Sequence, residues 1–370
     1  MTTAFIYQDN LSRHSLGDTH PMKPSRLRYT YELLVALQAF EDPNSLLVSA
    51  RKATTKEILS FHSSEYISAV ATADGGNLHP NASKFNLGSS DNPIYEGIYQ
   101  AALLSTGSTM RAVELILNGT VESAFSISGG LHHAMPDHAS GFCIFNDPVI
   151  AIKAFLDNDL RVAYIDIDCH NGDGVQYAFY DSDRVLNISI HESGDFLFPG
   201  TGFVNEIGSG KGRGYTINIP LYPYTNDEEY LWAFREIVPR IMAKFRPDIL
   251  VTQQGVDSHF QDPITHLNLT TQGHSDIVKE IKRSHNGPWL ALGGGGYNLQ
   301  AVARSWALEY GIMSGQHFGS GIPESYSHLH NVDSLIDHQR DDPPQRVKNE
   351  ILKYNTNTVN ALQKLLSDFP

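Results

Sequence analysis

The sequence predicts a single α/β domain: a mostly parallel, multi-stranded sheet with helices on both faces. Three observations predict it. Apolar, β-branched runs alternate along the chain with segments of helical periodicity, the order that builds βαβ units. Several of these runs are apolar at every position, as strands covered on two sides are. No Pro/Gly-rich linker, internal repeat or charge block divides the 370 residues, so the domain is expected to span 1–370. The 41% hydrophobic content supplies a large core, and 18% charged residues is too few for a disordered chain.

Taken in order, strands are expected at Thr3–Tyr7, Ala124–Ser128, Val162–Asp168, Val185–His191, Tyr215–Leu221, Ile249–Gly255 and Trp289–Leu292. Between them, helical spacing predicts Arg26–Phe40, Pro93–Asn118, Asp147–Asp157, Asp227–Phe245, Gln272–Ser284 and Leu299–Gly315. The polar stretch Gln316–Gln345, with Pro343 and Pro344, is expected to wrap the surface before a last helix near Arg346–Leu366. Residues 316–370 thus form a C-terminal wrap and helix.

Charge and composition exclude several roles. A formal net charge of −14 makes the chain a poor partner for phosphate backbones, so no direct nucleic-acid contact is expected. It would attract a cationic substrate. Two cysteines, Cys143 and Cys169, cannot build a disulfide framework and read as packing residues in a reducing compartment. The first residues lack the basic-then-apolar pattern of a signal peptide, and no apolar run reaches the ~18 residues of a membrane span. A cytoplasmic location without membrane contact is the expectation. The sequence carries no signal for oligomeric state.

Parallel α/β sheets bind ligands at the carboxyl ends of their strands. Four polar clusters stand there: Gly129-Gly130-Leu131-His132-His133-Ala134, Asp166-Ile167-Asp168-Cys169-His170 followed by Asn171-Gly172-Asp173-Gly174, Val256-Asp257-Ser258, and Gly293-Gly294-Gly295-Gly296-Tyr297-Asn298. In an extended strand Asp166, Asp168 and His170 share one face. A lone Asp there would read as a helix cap. Three ionisable groups on a buried strand call for a cation. Asp168, His170 and Asp257 supply two oxygens and one nitrogen, and three protein ligands with an open position is the pattern of catalytic Zn2+. The same donors suit Fe2+ or Co2+. His132 and His133, which in extended chain would face opposite ways, read as acid/base groups, with Asp166 and Asp173 available to orient them. The glycine run would let the backbone approach a ligand and bring the Tyr297 phenol to stabilise an oxyanion. The glycine-rich stretch Gly208–Gly214 is not a phosphate loop, because Gly212 follows Lys211 where Ser or Thr is required.

Together these motifs resemble the zinc-dependent histone deacetylase family, class I-like, including its bacterial acetoin-utilisation relatives. The match runs from His20-Pro21-Met22-Lys23-Pro24 through Ser140-Gly141-Phe142-Cys143 and Phe198-Pro199-Gly200-Thr201-Gly202 to the glycine run and the helix after it. The resemblance implies an arginase/deacetylase-like fold and a hydrolase that removes acetyl groups from lysine side chains. It implies zinc on Asp168, His170 and Asp257, His133 as general base oriented by Asp173, and His132 as electrostatic partner oriented by Asp166. Tyr297 would bind the acetyl oxygen. Phe142 and Phe198 would wall a narrow tunnel, and Asp91 and Gly295 would be substrate-binding positions. Arg26 would line an inner channel. A structural K+ or Na+ is implied at Asp166, Asp168, His170, Ser189 and Ile190, and a second at Phe179, Ser182, Val185 and Tyr215.

Two departures matter. Asn171 stands where most relatives carry a second His, next to the retained His170. Ile264 stands at a gate position where polyamine-selective relatives place Glu, which favours an acetylated lysine peptide or protein over a small acetylated amine. The alternatives are deacetylation of small acetylated amines or polyamines, and an arginase-like ureohydrolase needing two bridged metals. A catalytically silent acyl-lysine-binding module would have lost a ligand or Tyr297, and none is missing.

Overall fold

The computed structural model describes residues 2–76, 79–338, 340, 342–367 and 369. Among them eight strands form one sheet: β1 (Thr3–Ile6), β2 (Ser45–Val48), β3 (Ser123–Ser126), β4 (Val162–Asp166), β5 (Val185–Glu192), β6 (Thr216–Leu221), β7 (Ile249–Gln253) and β8 (Trp289–Leu292). Their order is β2-β1-β3-β8-β7-β4-β5-β6, and every neighbouring pair is parallel. The helices are α1 (Ser25–Ala36), α2 (Thr55–Leu59), α3 (Ser64–Ala73), α4 (Ile98–Leu117), α5 (Asp147–Asp157), α6 (Asp173–Phe179), α7 (Asp227–Phe245), α8 (Thr271–Ser284), α9 (Leu299–Ser314), α10 (Glu324–His330) and α11 (Gln345–Leu365).

Strand pleating divides the core in two. In β4, Ala163 and Ile165 pack into a cluster with residues of α1, α7, α8, α9 and α11, while Val162 and Tyr164 pack on the other face with residues of α4, α5 and α6. β8 alternates likewise, with Trp289 and Ala291 on the first face and Leu290 and Leu292 on the second. A third, smaller cluster, including Ile58, Tyr66, Val70, Phe85 and Phe145, sits under α2, α3 and the start of α4. No helix among the described residues is long and apolar enough to cross a membrane.

The chain builds β1 to β3, jumps to β4, β5 and β6, then returns to insert β7 and β8 in the middle of the sheet. The carboxyl ends of β3, β8, β7 and β4 therefore lie side by side, and all four predicted clusters emerge there.

Differences from expectation have local causes. The strand predicted to Asp168 ends at Asp166, so Asp168 and His170 are carried by irregular backbone beyond it. The helix expected from Pro93 starts at Ile98, because Gly97 (φ +82°) takes the left-handed conformation ahead of it. The helix expected to reach Phe40 stops at Ala36, ahead of left-handed Gln38. β2 is a short, half-exposed edge strand without the apolar run that marks its neighbours. α2 and α3 lie outside the expected helices, although Thr54 and Glu57 form a reciprocal capping box and Ser63 caps α3. Of the predicted 316–370 wrap, positions 339, 341, 368 and 370 lie outside the described residues.

Asp337 fastens that wrap to the body. Its carboxylate accepts from Arg304 (2.7 Å) and the Thr271 amide (2.8 Å) and pairs with His259 Nε2 (2.9 Å). Burial alone would raise this carboxyl, but the His259 bond, the amide and the Arg304 charge hold it well below the usual range. Asp337→Ala should cost about 3 kcal/mol in urea unfolding at neutral pH, the low end for stranding a buried cation. Because the folded carboxyl is depressed, this contribution is full above about pH 4 and is lost only as the pH falls further, so the gap between wild type and variant should close in acid.

Candidate active site

The site is built on two buried carboxylates that converge on one imidazole. His170 Nδ1 lies 3.0 Å from Asp168 Oδ1 and 3.0 Å from Asp257 Oδ2, and all three residues are buried. The remaining carboxylate lone pairs are aimed by donors. Gln253 Nε2 (2.6 Å) and the Gly295 amide (2.8 Å) bond Asp168 Oδ2, the His170 amide bonds Asp168 Oδ1 (3.0 Å), and the Cys169 amide bonds Asp257 Oδ1 (2.7 Å). Burial would depress the His170 imidazole, but the two carboxylates outweigh it and hold it well above its usual range. Burial and the neighbouring Asp168 charge push Asp257 up to about 6.

A divalent cation fits this set. The three donor atoms lie within 4.8 Å of one another, and they are the one such group among the described residues. Two like charges at nearly zero exposure need a positive charge between them. The space is kept clear by glycine: a Cβ on Gly255 would overlap the Asp168 carboxylate, and one on Gly295 would overlap both carboxylates.

The histidines sit opposite. The backbone turns at His132 and His133, so both rings face one way, correcting the expectation from extended chain. Their Nε2 atoms are 3.0 Å apart. On the far side, His132 Nδ1 meets Asp166 Oδ2 at 2.7 Å and His133 Nδ1 meets Asp173 Oδ1 at 2.7 Å. Burial alone would lower both imidazoles. At His132 the charges of Asp166 and Asp168 prevail and raise it to about 9. At His133 burial prevails, with the His132 charge adding to it, and lowers it to about 4. Two adjacent rings thus hold opposite protonation states at neutral pH.

Sequence reasoning missed the clamp on this turn. Asn146 donates to the carbonyls of His132 (3.1 Å) and Ala134 (2.9 Å), and Asp147 accepts from the amides of Gly130 (3.0 Å) and Leu131 (2.9 Å). Their only sequence signal is an Asn-Asp-Pro helix start, which reads as a cap. Asp262 was also missed: its carboxylate accepts from the Tyr297 amide (2.8 Å) and the Ile264 amide (3.0 Å), tying the glycine-run loop to the 262–266 loop.

A pocket of about 240 Å³ is lined by His132, His133, Asp168, His170, Gly295 and Tyr297, among others. Burial and the Asp257 charge push the Tyr297 phenol well above its usual range, so it stays a donor. Phe142, at φ +69°, stands edge-on to Tyr297 (5.7 Å between centroids), and Phe198 edge-on to His133 (5.1 Å). Behind lies a larger cavity of about 750 Å³ whose lining includes Arg26, and Met22 and Leu131 line both. Arg26 is buried and donates to the carbonyls of Gly294 (2.6 Å) and Gly296 (2.8 Å).

Other predicted residues are placed as follows. Ile264 is half-buried beside Asp262. Asp91 is exposed and not brought to the pocket lining, though its carbonyl meets His20 Nε2 at 3.3 Å and the His20 ring meets Phe142. Asp166 and Ser189 are register partners across β4 and β5, near Ile190, whose carbonyl accepts from Tyr230 (3.2 Å). Phe179, Ser182, Val185 and Tyr215 gather at the opposite end of the sheet, where the Ser182 amide bonds the Phe179 carbonyl (3.0 Å) and Tyr215 precedes β6. Asn171 is absorbed in a buried amide network with Asn218 (3.1 Å) and Thr201 (3.0 Å). Cys169 packs in the core beside Glu192, and Cys143 bonds the Gly141 carbonyl.

Comparison with known proteins shows the family and the fold. The histone deacetylase domain matches residues 20–313. The chain is 40% identical to acetoin utilization protein AcuC of Bacillus subtilis over 335 residues, 88% of this chain and 85% of the relative. It is 37% identical to histone deacetylase clr6 of Schizosaccharomyces pombe over 323 residues, 86% of this chain and 78% of the relative. The crystal structure of an HDAC homolog complexed with SAHA superposes with a TM-score of 0.88 at 30% identity, covering 98% of this chain and all of that one. An HDAC homolog from Aquifex aeolicus superposes with a TM-score of 0.85 at 31% identity, covering 96% and 100%.

The glycine cradle is testable. Gly295→Ala should weaken divalent-metal affinity by about 10- to 100-fold, the usual effect of disturbing groups around a ligand set. The measurement is calorimetric titration of the metal-stripped protein, with an unchanged far-ultraviolet dichroism spectrum as the control for folding.

Proposed function

The chain belongs to the histone deacetylase family, and from that premise we propose that it hydrolyses the acetyl amide of N-acetyl-lysine in a peptide or protein, using one zinc ion. The observation that carries this reading is geometric: two touching histidines, each backed by its own carboxylate, face the Asp168-His170-Asp257 group and the Tyr297 phenol across one small pocket.

Asp168, His170 and Asp257 would hold the ion, which when bound supplies Lewis acidity toward the amide carbonyl and a more acidic water. The chain's own residues do the rest. His133 donates its Nδ1–H as a hydrogen bond to Asp173, which leaves Nε2, 3.0 Å from His132 Nε2, without a proton of its own and able to take one from the attacking water. His132, kept cationic by Asp166, steadies the negative charge that develops. Tyr297 keeps its proton and donates to the oxyanion. The proton taken from water then passes from His133 to the departing amine as the C–N bond breaks, leaving acetate. Phe142 and Phe198 flank the alkyl stem, Ile264 gives the entrance an aliphatic edge, and Asp91 and Gly295 contact the substrate. A K+ or Na+ at Asp166, Asp168, His170, Ser189 and Ile190 would offset the second pair of buried carboxylates. A second ion would sit at Phe179, Ser182, Val185 and Tyr215.

The competing reading is deacetylation of a small acetylated amine, which the net charge of −14 favours and the aliphatic Ile264 disfavours. Metal-stripped and zinc-restored enzyme, assayed on an acetyl-lysine peptide and on acetylputrescine, separates the two. Restored turnover of the peptide alone supports the proposal, and turnover of acetylputrescine alone replaces it. An arginase-like reaction would need a second metal, so a stoichiometry of two ions per chain would favour that rival.

Two further outcomes are expected. Tyr297→Phe should lower kcat by roughly 10²- to 10³-fold, the loss of one oxyanion donor, with metal content unchanged. The pH profile should be displaced from that of a free imidazole. Because His133 is held down to about 4, it stays neutral through pH 6.5, so kcat/KM per bound metal should stay flat to about pH 5. The alkaline limb should fall as His132 gives up its proton near 9. An acid limb centred at 6.5 would point to another base.

A further inference from the structure

Helix α11 lies beyond the 20–313 stretch that the family domain matches, yet one of its side chains reaches the loop that carries Phe198. The Tyr354 hydroxyl bonds Ser193 Oγ at 2.7 Å and Asp195 Oδ2 at 3.3 Å. Its ring meets Phe196 edge-on (6.3 Å) and lies 5.6 Å from Tyr222, which itself meets Phe196 at 5.1 Å. Ser193, Asp195 and Phe196 form one end of the short loop that carries Phe198.

That loop is tied to itself. The amides of Phe196 (2.9 Å) and Leu197 (3.1 Å) bond the Ser193 carbonyl, and the Gly200 amide bonds the Leu197 carbonyl (3.2 Å). These bonds brace the loop internally, and its start is anchored where the Ser193 amide bonds the Leu221 carbonyl (2.8 Å). Phe198 is 46% exposed, so burial does not fix its ring against His133 and His170; the loop does. The helix is a firm post. Asn355 accepts from the Tyr222 amide (3.0 Å) and donates to Thr225 (2.9 Å), Thr358 bonds the Pro220 carbonyl (3.2 Å), and Val359 and Leu362 are in the core.

We propose that Tyr354 is a positioning residue for substrate fit: through Ser193 and Asp195 it holds the loop that presents Phe198 as a wall for the acyl-lysine stem. This rests on the acetyl-lysine reading. Tyr354 touches no substrate and acts only through Phe198, so it governs how well the stem is held and leaves the proton-handling groups in place.

The experiment compares wild type, Tyr354→Phe, Tyr354→Ala, Phe198→Ala, the double variant Phe198→Ala/Tyr354→Phe, and Leu352→Ala at an exposed position of the same helix, on an acetyl-lysine peptide. Tyr354→Phe should raise KM about two- to tenfold, the reach of one hydrogen bond, with kcat within about twofold of wild type. Tyr354→Ala should raise it further, and Leu352→Ala should leave it unchanged. The double variant should show the KM of Phe198→Ala alone, because both changes act on one wall. Unaltered KM in the Tyr354 variants, additive effects in the double variant, or an equal rise in Leu352→Ala overturns the inference while leaving the function intact. Wild-type enzyme that does not cleave the peptide overturns the reading of function and this inference with it. Should Tyr354→Ala fail to fold, Tyr354→Phe, which keeps the ring contacts, carries the test.

Discussion

Two carboxylates share one imidazole nitrogen in a place nearly without solvent, and the rest of the site follows from that arrangement. Asp168 and Asp257 are at most 1% exposed, so their mutual repulsion is barely screened. Such a pair is costly unless a cation sits between its members and every outward oxygen is bonded. The second condition is met by Gln253 and by the amides of Cys169, His170 and Gly295. Meeting it required glycine at 255 and 295, since any side chain there would occupy the carboxylate positions.

The same electrostatics divide the work between two identical residue types. His132 and His133 are adjacent in sequence and touch through their Nε2 atoms, but they answer to different carboxylates. His132 faces Asp166 and Asp168 and is held charged. His133 feels burial and the charge of His132 first, and is held neutral. Acid and base roles separate because once one ring carries a proton, its neighbour resists a second. The Asn146-Asp147 pair at the start of α5 makes this stable geometrically, gripping carbonyls on one side of the turn and amides on the other.

The sheet explains why residues so far apart meet. Inserting β7 and β8 between β3 and β4 brings the ends of four strands together. Irregular backbone then takes over, which is why Asp168, His170 and Asp257 all lie beyond their strands. The outer parts of the pocket are less regular still: the loop with Phe198, the loop with Ile264 and α11 meet around the end of β5. There Glu192 bonds His266 through both its amide (2.9 Å) and its ring (2.9 Å).

The sequence by itself determined the parallel α/β class, seven of the eight strand cores with most of their helical cover, and the residues of the metal group and the histidine turn. Those are local facts: apolar runs have periods, and ionisable residues after apolar strands stand out against them. It did not determine β2 or the turn at His132-His133. An edge strand carries little apolar signal, and a turn depends on what grips it. Nor did it determine the roles of Gln253, Asn146, Asp147, Asp262 and Tyr354, because an amide, a carboxylate or a phenol looks the same whether it faces water or a catalytic loop. The residues by themselves left open which carboxylate each histidine faces; the family resemblance implied the pairing, and the tertiary structure has it in place. That choice sets their protonation, since electrostatic interaction depends on distance and burial in space and on neither along the chain.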